Sequence, residues 1–239
     1  MNTIRFEKGR VSVVAHRGLS GLEKENTVAA FIAAGNRSYY GIETDIHRTA
    51  DGHFVVCHDD TLERVAGQSI NVEEATLAQI QGVVLFDLDG TKSRQDLRPC
   101  TLEDYIGVCK KYEKHCVLEL KSDFTEEETA KFIDIIRSMD YLEQVTFISF
   151  SYENLVKVRA ILPEQSVQFL FREVSDEIFD RVVADRMDVD VKHIGLTAEN
   201  VKRFHDAGLA VNCWTVNDKE TAEALVAMGV DYITTNILE

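Results

Sequence analysis

Proline is scarce in this sequence: Pro99 and Pro163 are the only two among 239 residues, and no stretch rich in Gly and Ser divides the chain. Linkers between domains usually carry such residues. Their absence favours a single domain over residues 1–239. The sequence also lacks a signal-peptide core and any uncharged apolar run of about 18 residues. We therefore expect a cytoplasmic protein without stable membrane association.

Disulfide and zinc patterns are missing as well. The five cysteines are an odd number, and no two of them form a CxxC pair. Disulfide frameworks and zinc knots normally show paired, closely spaced cysteines. Reduced, mostly buried thiols are the expected state, with no disulfide.

Basic residues are in deficit, with 26 Lys and Arg against 41 Asp and Glu, so the formal charge is −15. Nucleic acids and anionic membrane surfaces both attract basic patches. Neither is expected as a partner, and a small molecule is the expected substrate. The hydrophobic fraction of 45% excludes disordered and fibrous classes.

Short β-branched runs alternate with amphipathic stretches along the whole chain. This alternation is typical of an α/β fold, and eight repeats in about 240 residues predict a TIM (β/α)8 barrel. An open doubly wound sheet is the structural alternative. The predicted strands cover 11–15, 40–46, 115–121, 144–149, 166–171, 188–194, 209–214 and 230–235, and the predicted helices cover 27–36, 102–113, 125–138, 152–160, 175–185, 197–207 and 217–228.

Two irregularities interrupt the pattern. The segment 51–100 follows the second strand, is too long for a loop and contains its own alternating run, which predicts a small insertion subdomain. No helix pattern follows the eighth strand. We expect either the N-terminal residues or a second subunit, in a homo-oligomer, to cover that side of the barrel.

Carboxylates stand at the ends of the predicted second and third strands. Glu43 and Asp45 are two residues apart, as are Glu119 and Lys121, and residues i and i+2 of a strand point to the same side. Active sites of such barrels lie at the carboxyl ends of the strands. Three carboxylates converging there would repel one another unless they bind a divalent cation. An all-oxygen ligand set favours Mg²⁺ or Ca²⁺ over zinc.

Two histidines follow strand-like runs near these carboxylates. His16 ends the first strand, and His58 ends the run 53–58. Imidazoles beside a metal are suited to general acid and base catalysis near neutral pH. Arg17 and Lys121 offer fixed positive charge for an anionic group such as phosphate. His47, His53, His115, His193 and His205 are expected to satisfy local hydrogen bonds or to lie on the surface.

With these residues in place, the sequence resembles the glycerophosphodiester phosphodiesterases. The matching motifs occur in family order over nearly the whole chain: Ala15-His16-Arg17-Gly18, Glu25-Asn26-Thr27, Gly41-Ile42-Glu43-Thr44-Asp45, the run 49–59, Leu62-Glu63-Arg64, Leu118-Glu119-Leu120-Lys121, Ser149-Phe150 and Trp214-Thr215-Val216-Asn217. The resemblance implies a TIM barrel that uses one divalent cation, Mn²⁺ included, to hydrolyse glycerophosphodiesters to sn-glycerol 3-phosphate and an alcohol.

The resemblance also implies a role for each matching residue. The metal ligands would be Glu43, Asp45 and Glu119, and the acid/base pair would be His16 and His58. Substrate binding would fall to Arg17 and Lys121 at the phosphate, to Trp214 on the glycerol side, and to Glu25 in support of the site.

The chain departs from the family pattern at two places. Lys24 stands where proline usually precedes the Glu-Asn-Thr motif, and Thr235-Asn236-Ile237-Leu238 replaces Thr-Asp-Tyr-Pro after the last strand. We expect both changes to alter the outer pocket and barrel closure without touching a proposed ligand or catalytic histidine.

Three other functions compete with this hypothesis. Related phosphodiester chemistry includes a lysophospholipase D or a phospholipase C acting on phosphatidylinositol. A non-catalytic phosphate- or metal-binding barrel is a second alternative. A sugar-phosphate isomerase is a third, and it would leave the three carboxylates unexplained.

Overall fold

The computed structural model describes residues 2–239, and its centre is a closed barrel of parallel strands. Strand β1 pairs with β2 on one side and with β9 on the other, so eight strands close a ring. The predicted TIM barrel is thus confirmed, and the open sheet is excluded. The strands are β1 (Ser12–Ala15), β2 (Gly41–Arg48), β3 (Phe54–Val56), β4 (His115–Leu120), β5 (Val145–Ser149), β6 (Val167–Phe171), β7 (Asp188–Lys192), β8 (Val211–Trp214) and β9 (Tyr232–Thr235).

Helices surround the ring and bury their apolar faces against it. Several begin at the capping residues that the sequence indicates: Thr101 and Thr125 each form a reciprocal capping box, with Asp104 and Glu128. The helices are α1 (Val28–Gly35), α2 (Glu63–Ala66), α3 (Leu77–Gln81), α4 (Leu102–Tyr112), α5 (Glu126–Ser138), α6 (Tyr152–Ile161), α7 (Asp176–Ala184), α8 (Ala198–Asp206) and α9 (Lys219–Met228).

Two layers of apolar side chains stabilise the barrel. The main core lies between strands and helices and includes the aromatic residues Phe31, Tyr105, Phe132 and Phe147. A smaller cluster belongs to four different strands: Val14, Val117, Ile148 and Leu170. Ile148 and Leu170 also line the cavity described below, so this cluster forms part of its apolar wall.

The segment between β2 and α4 carries β3, α2 and α3 and buries an apolar cluster of its own. Strand β3 runs antiparallel to β2, with Val56 opposite Ile46 and Val55 opposite His47. The pairing continues as the Cys57 N–H donates to the Asp45 carbonyl at 3.1 Å. This register leads the chain back from the carboxyl end of β2 toward Asp45, so the residue after Cys57, His58, lies near the Asp45 carboxylate.

The N-terminal residues occupy the place of a helix after β9. Ile4 pairs with Leu238, and Phe6 is buried in the main core. The Glu7 N–H donates to Glu223 of α9, and Lys8 donates to Ser38, which follows α1. The segment therefore fills the gap between α9 and α1.

All five cysteines are buried and free among the described residues, as the sequence predicts. No helix within residues 2–239 has the length and apolar character needed to cross a membrane.

Candidate active site

A cavity opens at the carboxyl ends of the barrel strands. It brings together six of the nine site residues predicted from the sequence: His16, Arg17, Glu43, His58, Glu119 and Trp214. Asp45 and Lys121 lie directly behind this wall, in contact with Arg17 and Glu119 respectively. Glu25 is not part of the cavity wall and contacts Arg17 and Arg64.

The three acidic residues form one compact buried cluster. Asp45 and Glu119 are direct neighbours in the register of β2 and β4, and Glu43 lies two residues before Asp45. Oxygens of all three lie within 4.8 Å of one another. Burial and the charge of Asp45 raise the pKa of Glu43 well above its usual range and that of Glu119 to about 8. The cluster is therefore poorly suited to carry three negative charges by itself.

The donor set fits a hard divalent cation. All three groups offer carboxylate oxygens, the ligands that Mg²⁺, Ca²⁺ and Mn²⁺ prefer. Asp45 Oδ1 is buried and has no hydrogen-bond partner among the described residues. A buried oxygen left unpaired in this way is destabilising unless something binds it. A cation bound by Glu43, Asp45 and Glu119 would satisfy it.

Two cationic side chains flank the carboxylates. The Arg17 backbone N–H donates to Glu43 Oε2 at 2.7 Å, and the Arg17 guanidinium donates to Glu25 at 2.8 Å. Lys121 Nζ lies 2.9 Å from Glu119 Oε1. The sharp turn after Arg17 needs glycine, because Gly18 has φ +74° and a Cβ there would lie 2.7 Å from the Ala30 backbone. The His-Arg-Gly sequence thus sets the position of Arg17.

His16 is held by a residue near the end of the chain. Its Nδ1 lies 2.7 Å from Asn236 Oδ1, which also accepts a hydrogen bond from Ser20. Because an amide oxygen only accepts, Nδ1 carries the proton and Nε2 is left unprotonated. Burial, together with the charge of Arg17, lowers the pKa of His16 to about 4. The expectation that the change at Asn236 leaves the catalytic histidines untouched is therefore wrong: barrel closure places this residue against His16.

Substituting Asn236→Asp should raise the pKa of His16, because a carboxylate in contact favours the imidazolium. An opposite charge at this distance shifts a pKa by about 1–3 units. The acid limb of the pH profile of kcat/KM should therefore move to higher pH. The profile should be recorded at saturating Mg²⁺ for wild type and variant. An unmoved acid limb would show that the titration of His16 does not set that limb.

His58 belongs to a chain of polar side chains joined by hydrogen bonds. Its Nδ1 lies 2.6 Å from Asp59 Oδ1, and Asp59 Oδ2 lies 2.6 Å from Arg64 Nε. Arg64 also binds both oxygens of Glu25, at 2.7 and 2.8 Å. Because Glu25 contacts Arg17, this chain connects the histidine of the insertion to the arginine that follows β1. Asp59 and Arg64 therefore orient two groups that face the cavity.

Substituting Arg64→Lys should lower kcat by about tenfold, within the usual range for outer partners of site residues. A lysine ammonium cannot bind two carboxylates with the fork geometry of a guanidinium. Arg64 is 46% exposed, so the melting temperature should change little. Steady-state kinetics and thermal melts test both statements. Wild-type kcat in the lysine variant would show that the chain does not orient His58.

The model of the Glycerophosphoryl diester phosphodiesterase family matches residues 16–239. The chain belongs to this family. The expected enzyme class, a phosphoric diester hydrolase, is confirmed by the same match. A curated relative, the glycerophosphodiester phosphodiesterase of Caldanaerobacter subterraneus subsp. tengcongensis, is 31% identical over 232 residues, covering 94% of this chain and 93% of the relative.

Solved structures of the family share the fold. A phosphodiesterase of Oleispira antarctica, in complex with the product sn-glycerol-3-phosphate, superimposes with a TM-score of 0.87 at 26% identity, covering 94% of this chain and 92% of the other. A glycerophosphodiester phosphodiesterase of Parabacteroides distasonis gives a TM-score of 0.80 at 26% identity, covering 95% and 93%.

Several residues that support the site of this family member were not predicted from the sequence. Asn26 donates to Asp45 Oδ2 at 2.8 Å and accepts from Thr44 at 2.8 Å, so it fixes the orientation of the Asp45 carboxylate. The Glu-Asn-Thr motif was the available signal for it. Asp59 follows His58 directly, and that adjacency was a signal too. Asn236 carries none, because its contact depends on closure of the barrel.

Proposed function

We propose that this protein hydrolyses glycerophosphodiesters to sn-glycerol 3-phosphate and an alcohol. The observation that supports this most is the convergence of a buried carboxylate cluster and two histidines on one cavity. The family match supports the reaction class, and the product complex of the Oleispira antarctica phosphodiesterase supports glycerol 3-phosphate as the shared product.

The proposed cation ligands are Glu43, Asp45 and Glu119, and Mg²⁺ or Ca²⁺ is the expected ion, with Mn²⁺ a suitable substitute. When bound, the cation supplies Lewis-acid polarisation of the phosphoryl oxygens. Arg17 and Lys121 neutralise charge that develops on the same oxygens. Glu25 holds the Arg17 guanidinium in place through its 2.8 Å contact.

We assign general-base catalysis to His16 and general-acid catalysis to His58. The Asn236 contact keeps the Nδ1 proton on His16, so the unprotonated Nε2 can accept a proton from the nucleophile. His58 contacts the Asp59 carboxylate through Nδ1, which leaves its Nε2 to protonate the departing alcohol. The attacking group is either water or the glycerol 2-hydroxyl, and the latter gives a cyclic phosphate that ³¹P NMR would detect during turnover.

Hydrolysis of a lysophospholipid is a second candidate, favoured by an apolar rim beside the cavity mouth. Phe150 is 42% exposed and packs edge to face on Trp214, with ring centroids 5.6 Å apart. Ile194, in the short 3-10 helix after β7, is 72% exposed, and its neighbour His193 lies 3.1 Å from the Trp214 carbonyl. An acyl chain on the glycerol half of such a substrate would gain contact with this rim.

The deciding experiment is a substrate panel assayed with excess chelator and after addition of Mg²⁺, Ca²⁺ or Mn²⁺. We expect hydrolysis of glycerophosphocholine and glycerophosphoethanolamine only with the cation, and release of glycerol 3-phosphate. Faster turnover of lysophosphatidylcholine would favour the second candidate. Full activity of the chelated protein would contradict the proposed cation site.

A further inference from the structure

Asp190 of β7 is a buried carboxyl group without a role in the chemistry above. Its exposed fraction is 1%, and its Oδ1 has no hydrogen-bond partner among the described residues. Its polar neighbours bind one another instead. The Asn212 amide donates to Gln168 at 3.2 Å, and Asn212 Oδ1 accepts from Thr234 at 3.2 Å. None of these hydrogen bonds includes the Asp190 carboxyl group.

The position of Asp190 is on the wall of the active-site cavity. The same cavity is lined by His16 and Glu119, while the apolar Ile148 and Leu170 form its wall on β5 and β6. Trp214 adjoins Asp190 as well, because its indole N–H donates to the Asp190 backbone carbonyl at 3.3 Å. Asp190 therefore presents an acceptor inside a largely apolar part of the cavity.

An unpaired buried carboxyl group destabilises a fold, since it loses its contacts with water and gains none in return. A ligand that donates a hydrogen bond to the carboxyl group would account for its position. Asp190 lies outside the cluster of oxygens that fits a cation, which contains Glu43, Asp45 and Glu119. The missing partner is therefore better matched by a neutral hydrogen-bond donor than by the catalytic ion.

We propose that Asp190 binds substrate by accepting a hydrogen bond from a hydroxyl of the glycerol half of the phosphodiester. This inference rests on the proposed function. Its consequence is specificity: a site that hydrogen-bonds a substrate hydroxyl discriminates strongly against an analogue that lacks it. Asp190 would then select a polyol phosphodiester over an alkyl phosphodiester of the same length.

The test is calorimetric binding of glycerol 3-phosphate and of n-propyl phosphate, which lacks both hydroxyls, in the presence of Ca²⁺. For wild type we expect much tighter binding of glycerol 3-phosphate. In Asp190→Val its affinity should fall about tenfold, near the upper end of the range for one hydrogen bond between neutral groups. Binding of n-propyl phosphate should change less than about threefold, because that ligand offers no hydroxyl to Asp190.

Thermal melts separate this role from a structural one. Asp190→Val removes an unpaired buried carboxyl, so the melting temperature should rise or stay level. The matched control is Asp188→Val on the same strand, whose carboxylate accepts from the Ala210 N–H at 2.8 Å. That variant should melt at a lower temperature and keep the ratio of the two affinities.

Three outcomes with the valine variants overturn the inference. They are unchanged glycerol 3-phosphate affinity in Asp190→Val, an equal loss for both ligands, and a lower melting temperature than that of Asp188→Val. An Asp190→Asn variant retains an acceptor oxygen and should keep most of the affinity, so loss of the hydroxyl preference in that variant also counts against it. Failure of wild type to hydrolyse any glycerophosphodiester would instead refute the proposed function. The binding experiment measures affinity alone, so the two failures can be told apart.

Discussion

Alanine in place of His16 or His58 is expected to lower kcat by about 10²- to 10⁴-fold, the usual contribution of a proton-transfer catalyst. Both side chains line the cavity, and each has its Nδ1 engaged, by Asn236 and Asp59 respectively. Steady-state kinetics with glycerophosphocholine at saturating Mg²⁺ measures the effect. Turnover near wild type in either variant would rule out that histidine as an acid or base.

The two roles are separable through the leaving group. An acid is needed to expel an alkoxide but hardly to expel a nitrophenolate, which leaves readily at neutral pH. His58→Ala should therefore lose much less activity on a p-nitrophenyl phosphodiester than on glycerophosphocholine, whereas His16→Ala should be impaired on both. His115→Ala is a suitable control, because that ring binds Thr146 at the start of the strands and not the cavity. The reverse pattern would exchange the assignments.

Neutralising a carboxylate of the cluster should lower activity. The same change should raise the stability of the protein from which the cation has been removed. Glu43→Gln or Glu119→Gln removes a proposed cation ligand, and the loss of several kcal/mol of charge stabilisation predicts at least a roughly 10³-fold fall in kcat. The same change relieves repulsion within a buried cluster, so the chelated variant should melt at a higher temperature than chelated wild type. Calorimetry with Mn²⁺ should show weakened binding.

The pH dependence of stability follows from Glu119. Its folded pKa of about 8 lies above the usual value of 4.5. Between these values the folded state holds a proton that the unfolded state has released, so the free energy of unfolding falls as pH rises. Chelated wild type should lose stability between about pH 4.5 and pH 8, and Glu119→Gln should lose less. Saturating cation should remove the difference, because it favours the ionised form. A pH-independent melt of the chelated protein would contradict this account.

Local patterns were enough to predict the barrel and the centre of the site. Alternation of strands and helices is a short-range signal, and it placed all eight barrel strands close to their observed bounds. The cluster was predictable for the same reason, because residues two apart on neighbouring parallel strands share one face. Glu43, Asp45 and Glu119 lie together as that rule requires.

The remaining features depend on contacts between distant parts of the chain. The contact of Asn236 with His16 joins residues 220 positions apart, and only closure of the ring between β9 and β1 creates it. The contact of Arg64 with Glu25 depends on how the insertion packs against the barrel. Asp190 is unpaired because its neighbours Gln168 on β6 and Asn212 on β8 bind each other. None of these contacts is indicated by a periodic pattern in the sequence.

The residues proposed to carry out the reaction all lie in the first half of the barrel. The proposed cation ligands, both histidines and the two side chains proposed to bind phosphate lie within residues 16–121. They belong to β1, β2, β4, the residues that directly follow β1 and β4, and the insertion. The opposite wall, from β5 to β8, contributes Phe150, Leu170, Asp190 and Trp214. Substitutions in that second half can therefore change which glycerol-like half of the diester the enzyme accepts, while the proposed cation ligands and histidines stay unchanged. Libraries built on those four positions would explore new substrates without having to rebuild catalysis.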